Sequence, residues 1–171
     1  TPAFQSQLFS EVAEHTTSDG ALLHLRLASK GLAVDISNNH PFIHGDISFM
    51  HNGTIRPAAS IEHLVDADLL GQITSTTDSE RYFFTVLTGI DELGLIEGVR
   101  KAVKSISANC EFTSINSMLM TPDTFIAVCE FNPDVKTEWS SEDHYELRFK
   151  KEGNDVVIAS TGWGNSDWQH L

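Results

Sequence analysis

A helical segment between two stretches of strand-like sequence most constrains the fold. The residues TDSE at 77–80 match the capping-box pattern, with Thr77 as the N-cap and Glu80 as the third helical residue. The helix that begins there is expected to end at Gly94. A second helix is predicted over residues 96–105, so two helices follow each other with almost no connection.

Strand-like segments lie on both sides of these helices. After them, FTSINSMLMT, TFIAVCEF, HYELRFKK and DVVIAST predict four strands separated by turn signals. Before them, a core strand is predicted over residues 21–27 and a loop over 31–42, with short helices over 4–15 and 60–69. Two sheets with helices on their outer faces would bury the apolar side chains. The sequence therefore predicts one α+β domain over residues 1–171.

Composition excludes several classes of protein. The chain has 24 acidic and 11 basic side chains and a formal net charge of −13 at pH 7, whereas a nucleic-acid surface needs a basic footprint. No apolar run approaches the ~18 residues of a membrane span. The two cysteines form no CxxC pattern and no disulfide framework, which favours a reducing, cytoplasmic compartment. We therefore expect neither nucleic acid nor membrane as a partner.

The Asn52-Gly53 pair interrupts a strand-like stretch, ISFMHNGTI at residues 47–55. Asn-Gly is the strongest short hairpin signal, because both residues tolerate positive φ. On these residues alone, a hairpin turn is the ordinary interpretation. The segments around the pair in the sequence favour a second interpretation, in which the pair takes part in chemistry.

Three further segments combine polar residues with apolar or loop surroundings: LHLRLAS at 23–29, NNHPF at 38–42 and TDSE at 77–80. Each has an ordinary interpretation by itself. Arg26 could be a snorkelling or paired residue of a core strand, and His40 could belong to a plain turn. Asp78 could favour a helix N-terminus through the macrodipole.

Taken in order with HNGTI at 51–55, these segments resemble the glutaminase domain of class II glutamine amidotransferases, which are N-terminal-nucleophile hydrolases. That family shows H-x-R-x-A-[ST], N-x-H-P-F, H-N-G-x-[IL] and D-[ST]-E in this sequence order. The match is densest over residues 21–90. The opening PAFQSQLFSEV is most similar to the small, stand-alone bacterial type.

The resemblance implies a four-layer αββα sandwich, here truncated at the ends, and it implies roles for individual residues. Arg26 would bind the α-carboxylate of glutamine, because a guanidinium matches a carboxylate bidentately. Asp78 would bind the α-amino group. Asn52 with its side-chain amide and Gly53 with its backbone N–H would form the oxyanion hole, at a sharp turn with no Cβ on the second residue. The supporting residues would be Ser29, His40 and His51.

The family's nucleophile is an N-terminal cysteine whose own α-amino group is the base, and this chain begins with Thr1. Thr1 is followed by proline and a helix-like stretch, so we do not expect it to be the nucleophile. Cys110 and Cys129 fall in late strands and lack a free α-amino group. We therefore expect the domain to be incomplete, with the cysteine upstream of this chain.

The resemblance predicts glutamine amide hydrolysis or amidotransfer through a cysteine thioester, with a small-molecule substrate and no cofactor. The alternatives are a γ-glutamyl amidase acting on a modified substrate and a catalytically inactive glutamyl-binding module. A third alternative is a metalloenzyme, which is suggested by His40, His44, His51 and Asp46. Their spacing fits no HExxH pattern, and we expect no metal. The sequence leaves the ammonia acceptor and a homo-oligomer open.

Overall fold

The computed structural model describes residues 5–25, 35–135, 144–164 and 167–171. The helices are α1 (Gln7–His15), α2 (Ala67–Leu70), α3 (Asp78–Leu93) and α4 (Leu95–Asn109). The strands are β1 (Phe42–His44), β2 (Ile47–Arg56), β3 (Glu111–Met120), β4 (Phe125–Val128), β5 (Arg148–Glu152), β6 (Asp155–Ala159) and β7 (Gln169–His170). Short 3₁₀ helices cover Ile36–Asn38 and Ala58–Leu64.

The described strands form two antiparallel sheets. The first sheet has the order β1-β2-β3-β4, and the second has the order β6-β5-β7. The longest pairing joins β2 to β3, and these two strands are separated in the chain by α3 and α4. The prediction of a mixed α+β fold with antiparallel strands is confirmed.

Helix α3 covers one face of the first sheet and forms the centre of the core. Phe49 of β2 stacks on Phe83 with ring centroids 5.2 Å apart, and it meets Tyr82 edge-to-face at 5.1 Å. All three rings are fully buried. Burying aromatic side chains of this size contributes on the order of 2 kcal/mol each, so this contact fixes the position of α3 on β2.

Helices α3 and α4 approach each other through glycine. A Cβ on Gly98 would lie 2.4 Å from the carbonyl carbon of Gly89, and a Cβ on Gly89 would lie 2.5 Å from the carbonyl oxygen of Gly98. Gly94, with φ of 80°, is the only residue between the two helices. The predicted end of the first helix at Gly94 is therefore confirmed, and the second helix is longer than predicted.

Two local predictions are wrong. Residues 21–25, the described part of the predicted core strand, are irregular, and Leu23 and Leu25 are 63% and 67% exposed. None of the described strands pairs with them, and apolar sequence without a pairing partner does not make a strand. The helix predicted over residues 60–69 is divided, because Asp66 caps α2 by accepting the N–H of Asp68 at 2.9 Å.

The four strands predicted after the helices are confirmed as β3 to β6, with β4 and β5 shorter than their apolar segments. Strands β1 and β7 were not predicted. Both are two or three residues long, so they are too short for a periodic pattern. Among the described residues, no helix has the length and apolar character needed to cross a membrane.

Candidate active site

Asn52 and Gly53 lie inside β2, and the strand continues through them. The hairpin interpretation is therefore wrong, and so is the expected sharp turn. Instead, the register between β2 and β3 shifts between Gly53 and Ile55, where Thr113 and Ser114 of β3 lie opposite the single residue Thr54, so that the β-bulge has its extra residue in β3. A bulge re-aims the groups beside it without ending the strand, and this local geometry depends on the partner strand β3.

Gly53 must be glycine because of its closeness to β3. Its φ is 150°, a value that residues with side chains rarely adopt. A Cβ at this position would lie 1.9 Å from the carbonyl oxygen of Ser114. The expected need for a residue without Cβ is thus met, but the cause is the neighbouring strand and not a turn.

The Asn52 side chain borders a cavity of about 880 Å³ whose walls come from β2, β3 and β6. Asn52 pairs in register with Asn116, which also lines the cavity. The amide of Asn116 is fixed, because it donates to the carbonyl of Tyr145 and accepts the N–H of Glu130 at 2.8 Å. The side-chain amide of Asn52 makes no hydrogen bond to the residues that the structure describes, so it can bind a ligand.

Part of the cavity wall is apolar. Met50 and Met118 pair across β2 and β3 two residues from the asparagine pair, and Met120 lies two residues further along β3. Phe125 and Val157 belong to the same apolar wall. The cavity thus combines an apolar wall with polar lining residues, which besides the two asparagines include Ser18, Asp19, Asn154 and Asp155.

His51 joins β2 to both neighbouring elements and is 3% exposed. Its Nε2 lies 3.1 Å from the carbonyl oxygen of Ser114, and its Nδ1 lies 3.0 Å from the hydroxyl of Ser79 in α3. A carbonyl can only accept, so Nε2 bears the proton and Nδ1 accepts the proton of Ser79. Both ring nitrogens are therefore engaged within the protein.

The environment of His51 favours its neutral form. Burial lowers the pKa of His51, while the carboxylate of Asp78 and the carbonyl of Ser114 act in the opposite direction with smaller effect. The ring also meets Tyr82 edge-to-face at 5.3 Å. A neutral, fully hydrogen-bonded imidazole suits a supporting residue better than a proton donor or acceptor for substrate.

Asp78 is the first residue of α3 and lies beside the bulge. Its Oδ2 accepts the backbone N–H of Ile55 at 2.6 Å, so it binds a donor that immediately follows the bulge. Its Oδ1 makes no hydrogen bond to any residue within the described ranges, and the side chain is half-buried. Asp78 therefore has one oxygen committed to β2 and one that can bind a ligand.

The start of α3 is held by a dense set of hydrogen bonds. Thr77 accepts the N–H of Glu80 at 3.2 Å, which confirms Thr77 as the N-cap. The Glu80 carboxylate binds the N–H groups of Thr74 and Ser75, where a standard capping box would bind the N–H of the N-cap. Asn38 accepts the N–H of Thr76 at 3.1 Å. This turn is consequently a firm base for Asp78.

The remaining predicted site residues are less directly connected. The ring of His40 lies against the tilted ring of His24, with centroids 4.2 Å apart, and meets Phe42 edge-to-face at 4.8 Å. His24 lines the cavity, so His40 supports part of its wall. Arg26 and Ser29 lie outside the described residues.

Sequence reasoning missed Ser79, Ser114 and Asn116. Ser79 lies inside the TDSE motif, between the two residues that were singled out, so the motif could have indicated it. Ser114 and Asn116 are buried polar residues in the apolar strand β3, and such residues need partners. Their polarity was the available signal, but their partners could not be read from it.

Within the described ranges, no three His, Cys, Asp or Glu side chains are grouped so as to hold a metal ion. Of the histidines that prompted the metal hypothesis, His51 uses both ring nitrogens, and His44 lies 6.0 Å from the ring of Phe84. The site is therefore built from amide, hydroxyl and carboxylate groups.

Comparisons with known proteins provide information on the family and the fold. No family model matches the chain. The chain is 37% identical over 99 residues to the Saccharomyces cerevisiae protein described as "Probable glutamine amidotransferase DUG3", a match that covers 55% of this chain. A solved glutamine aminotransferase class-II domain protein from Silicibacter pomeroyi superposes with a TM-score of 0.69 at 17% identity, over 100% of this chain and 74% of that one. These findings support a class II glutamine amidotransferase domain.

The yeast protein and the bacterial structure provide different kinds of support for this domain. The match spans 27% of the length of the yeast protein, so it concerns one part of a larger amidotransferase. The bacterial structure establishes the fold of the class II amidotransferase domain, and its low identity does not extend to the site.

Proposed function

We propose that this domain binds glutamine and catalyses hydrolysis or transfer of its side-chain amide through a cysteine thioester. The observation that supports this most strongly is the position of Asn52 in β2, beside the register shift to β3, where its unengaged side-chain amide borders a cavity. The nucleophilic cysteine is expected upstream of the chain described here. General support comes from the names of the two similar proteins, a probable glutamine amidotransferase and a glutamine aminotransferase class-II domain protein.

In this proposal Asn52 and Gly53 form the oxyanion hole. The tetrahedral intermediate of amide attack places negative charge on the former carbonyl oxygen, and two donors aimed at that oxygen stabilise it. Asn52 would donate from its side chain, and Gly53 from its backbone N–H. Losing one such donor costs about 2.7–4 kcal/mol of transition-state stabilisation in comparable enzymes.

Asp78 and Arg26 would hold the amino-acid end of the substrate. The free Oδ1 of Asp78 can accept from the substrate ammonium while Oδ2 stays on Ile55. Arg26 is assigned to the α-carboxylate on the family resemblance. The two charges would orient glutamine so that its side chain reaches the oxyanion donors, which is worth far more to the rate than binding alone. Ser29, His40 and His51 would support this arrangement.

The covalent step balances without a cofactor. The α-amino group of the N-terminal cysteine takes the thiol proton as the sulfur bonds to the amide carbon. Collapse of the intermediate breaks the C–N bond, and the same proton leaves with ammonia. Water or an acceptor amine then attacks the thioester, releasing glutamate or a γ-glutamyl product and restoring the thiol.

A second candidate is a γ-glutamyl amidase that acts on a larger amide. The cavity of about 880 Å³ beside Asn52 is much larger than the ammonia released from glutamine, and part of its wall is apolar. The same glutamyl-recognition residues would serve both reactions. Comparing kcat/KM for glutamine and for γ-glutamyl anilides separates the two, because only the amidase gains from the larger leaving group.

Location and assembly are part of the same proposal. We expect the protein in the cytoplasm, since Cys110 and Cys129 are both free thiols. A homo-oligomer is compatible with everything described above.

The test begins with the intact mass and N-terminal sequence of the full-length protein, followed by a glutaminase assay. The proposal predicts an N-terminal cysteine and glutamate release, with kcat reduced about 100- to 1000-fold in Asn52→Ala. Asn154→Ala, at an exposed position that also lines the cavity, is the matched control. A protein without the cysteine that still binds glutamine would instead be the inactive binding module.

A further inference from the structure

We propose that Ser79 is a positioning residue that fixes the Asn52-Gly53 donors through His51, so that the pair Asp78-Ser79 sets the geometry of the site. The inference rests on the proposed function, because it assigns how the same site is held. Two consecutive residues of α3 bind β2 on opposite sides of the bulge. Ser79 binds His51 before it at 3.0 Å, and Asp78 binds Ile55 after it at 2.6 Å.

Strand β2 needs such support here because the bulge in β3 interrupts the ladder between the two strands. An extra residue in one strand leaves a backbone N–H without its usual partner and increases local twist. Asp78 accepts the N–H of Ile55, and Ser79 fixes the ring of His51. The three residues between, from Asn52 to Thr54, are therefore held at both ends by one turn of one helix.

The contact of Ser79 extends to Gly53 through three groups. Its hydroxyl donates to Nδ1 of His51, which leaves the proton on Nε2 for the carbonyl of Ser114. That carbonyl oxygen is the atom that a Cβ on Gly53 would meet at 1.9 Å. The orientation of His51 thus fixes the Ser114 carbonyl of β3, against which Gly53 packs.

The helix turn that provides Ser79 is itself well fixed. Glu80 binds the N–H groups of Thr74 and Ser75, and Thr77 caps the helix. Arg81 donates to the carbonyls of Ser75 and Thr77 and pairs with Glu62 at 2.7 Å. A support this constrained can hold oxyanion donors to a fraction of an ångström, which is the precision that such donors require.

A purely structural role for Ser79 makes different predictions. A buried hydroxyl that only satisfies a hydrogen bond would affect thermal stability and leave the chemical step unchanged. A positioning role affects the transition state, because the oxyanion exists only there. It therefore lowers kcat and leaves KM for glutamine nearly unchanged.

The experiment uses the full-length protein with Ser79→Ala and the matched control Thr85→Val. Thr85 is a buried hydroxyl of the same helix, and it donates only to the carbonyl of Arg81. We expect about a 10- to 100-fold lower kcat for Ser79→Ala with KM within about twofold, since misplacement by about 1 Å can cost 100-fold. Thr85→Val should keep both constants within about twofold of the wild type. Ser79→Cys, which keeps the volume and weakens the donor, should fall between wild type and Ser79→Ala and serves if the alanine variant does not fold.

A second readout does not depend on activity. In ¹H–¹⁵N spectra, Ser79→Ala should shift the backbone amide of Gly53, whereas Thr85→Val should not. An unshifted Gly53 amide, an unchanged kcat in an active protein, or an equal loss in Thr85→Val would each overturn the inference. A wild type that does not hydrolyse glutamine would contradict the proposed function, while the Gly53 amide would still decide the role of Ser79.

Discussion

The carbonyl oxygen of Ser114 occupies the space in which a side chain on Gly53 would begin. The separation from an added Cβ would be 1.9 Å, and the obstructing atom belongs to the backbone of β3. Neither strand can yield without breaking the ladder between them. The identity of residue 53 is thus dictated by residue 114, which lies 61 positions further along the chain.

Gly53→Ala should destabilise the protein by about 3 kcal/mol or more, because overpacking against backbone has no low-energy relief. Gly71→Ala is the matched control, since an added Cβ there has no neighbour within 4 Å. Chemical denaturation of both variants measures the difference. Equal stability of the two variants would contradict the close contact between β2 and β3.

The folded protein should lose stability in mild acid through His51. Burial lowers the pKa of His51 in the folded state, so the unfolded chain binds the proton more readily. The stability that neutral His51 contributes is complete above the pKa of histidine in the unfolded chain, about 6.5. It is lost as the pH falls from there through the lowered pKa of His51 in the folded protein. Melting temperatures between pH 7.5 and 5 should decline less steeply for His51→Gln than for wild type.

A suitable control for that profile is His63→Gln, which removes an exposed histidine. It should leave the slope of melting temperature against pH unchanged. If His51→Gln and wild type fall in parallel, the acid sensitivity comes from other groups.

Asp78→Asn should separate the two tasks of this side chain. The amide oxygen can still accept from Ile55, but the negative charge for a substrate ammonium is gone. We expect a nearly unchanged melting temperature and about a 10- to 100-fold lower kcat/KM for glutamine, as for the loss of a hydrogen bond to a charged group. Asp78→Ala should lose both properties. Titration calorimetry with glutamine and thermal unfolding measure the two effects independently.

Gly98→Ala should destabilise the protein although alanine is the better helix former. Helix propensity alone predicts a gain of up to about 1 kcal/mol for this replacement, at the fourth residue of α4. The added Cβ would instead lie 2.4 Å from the backbone of Gly89, so we expect a net loss of about 1–3 kcal/mol. Lys104→Ala, at an exposed position of α4, should show the ordinary small effect of an exposed helical position. A stabilised Gly98→Ala variant would contradict the close packing of the two helices.

Local signals in the sequence were enough to predict helices α1, α3 and α4 and strands β3 to β6. Thr77 and Glu80 are three residues apart, so the start of α3 could be recognised without knowing its surroundings. The identity of Asn52 and Gly53 was likewise visible, but their geometry was predicted wrongly as a turn. A bulge is defined by a partner strand, and no residue near Gly53 in the sequence indicates that Ser114 lies beside it.

The same limit applies to the predicted strand over residues 21–27. Its alternating apolar residues satisfy the pattern of a strand, but a strand also needs a neighbour, and pattern does not provide one. The contact of Ser79 with His51 was hidden for a similar reason, since the two residues are 28 positions apart. Site residues were recognisable by type, whereas the groups that hold them depend on tertiary contacts.

The pairing of β2 with β3 has a consequence for how the site comes into existence. His51 and Ser114 are 63 residues apart, and both helices α3 and α4 lie in the intervening chain. Closing a loop of that length costs conformational entropy, which the packing of the two helices on the sheet helps to offset. The geometry of the proposed oxyanion donors therefore depends on a long-range contact, and a nascent protein would acquire it only after Ser114 has been synthesised.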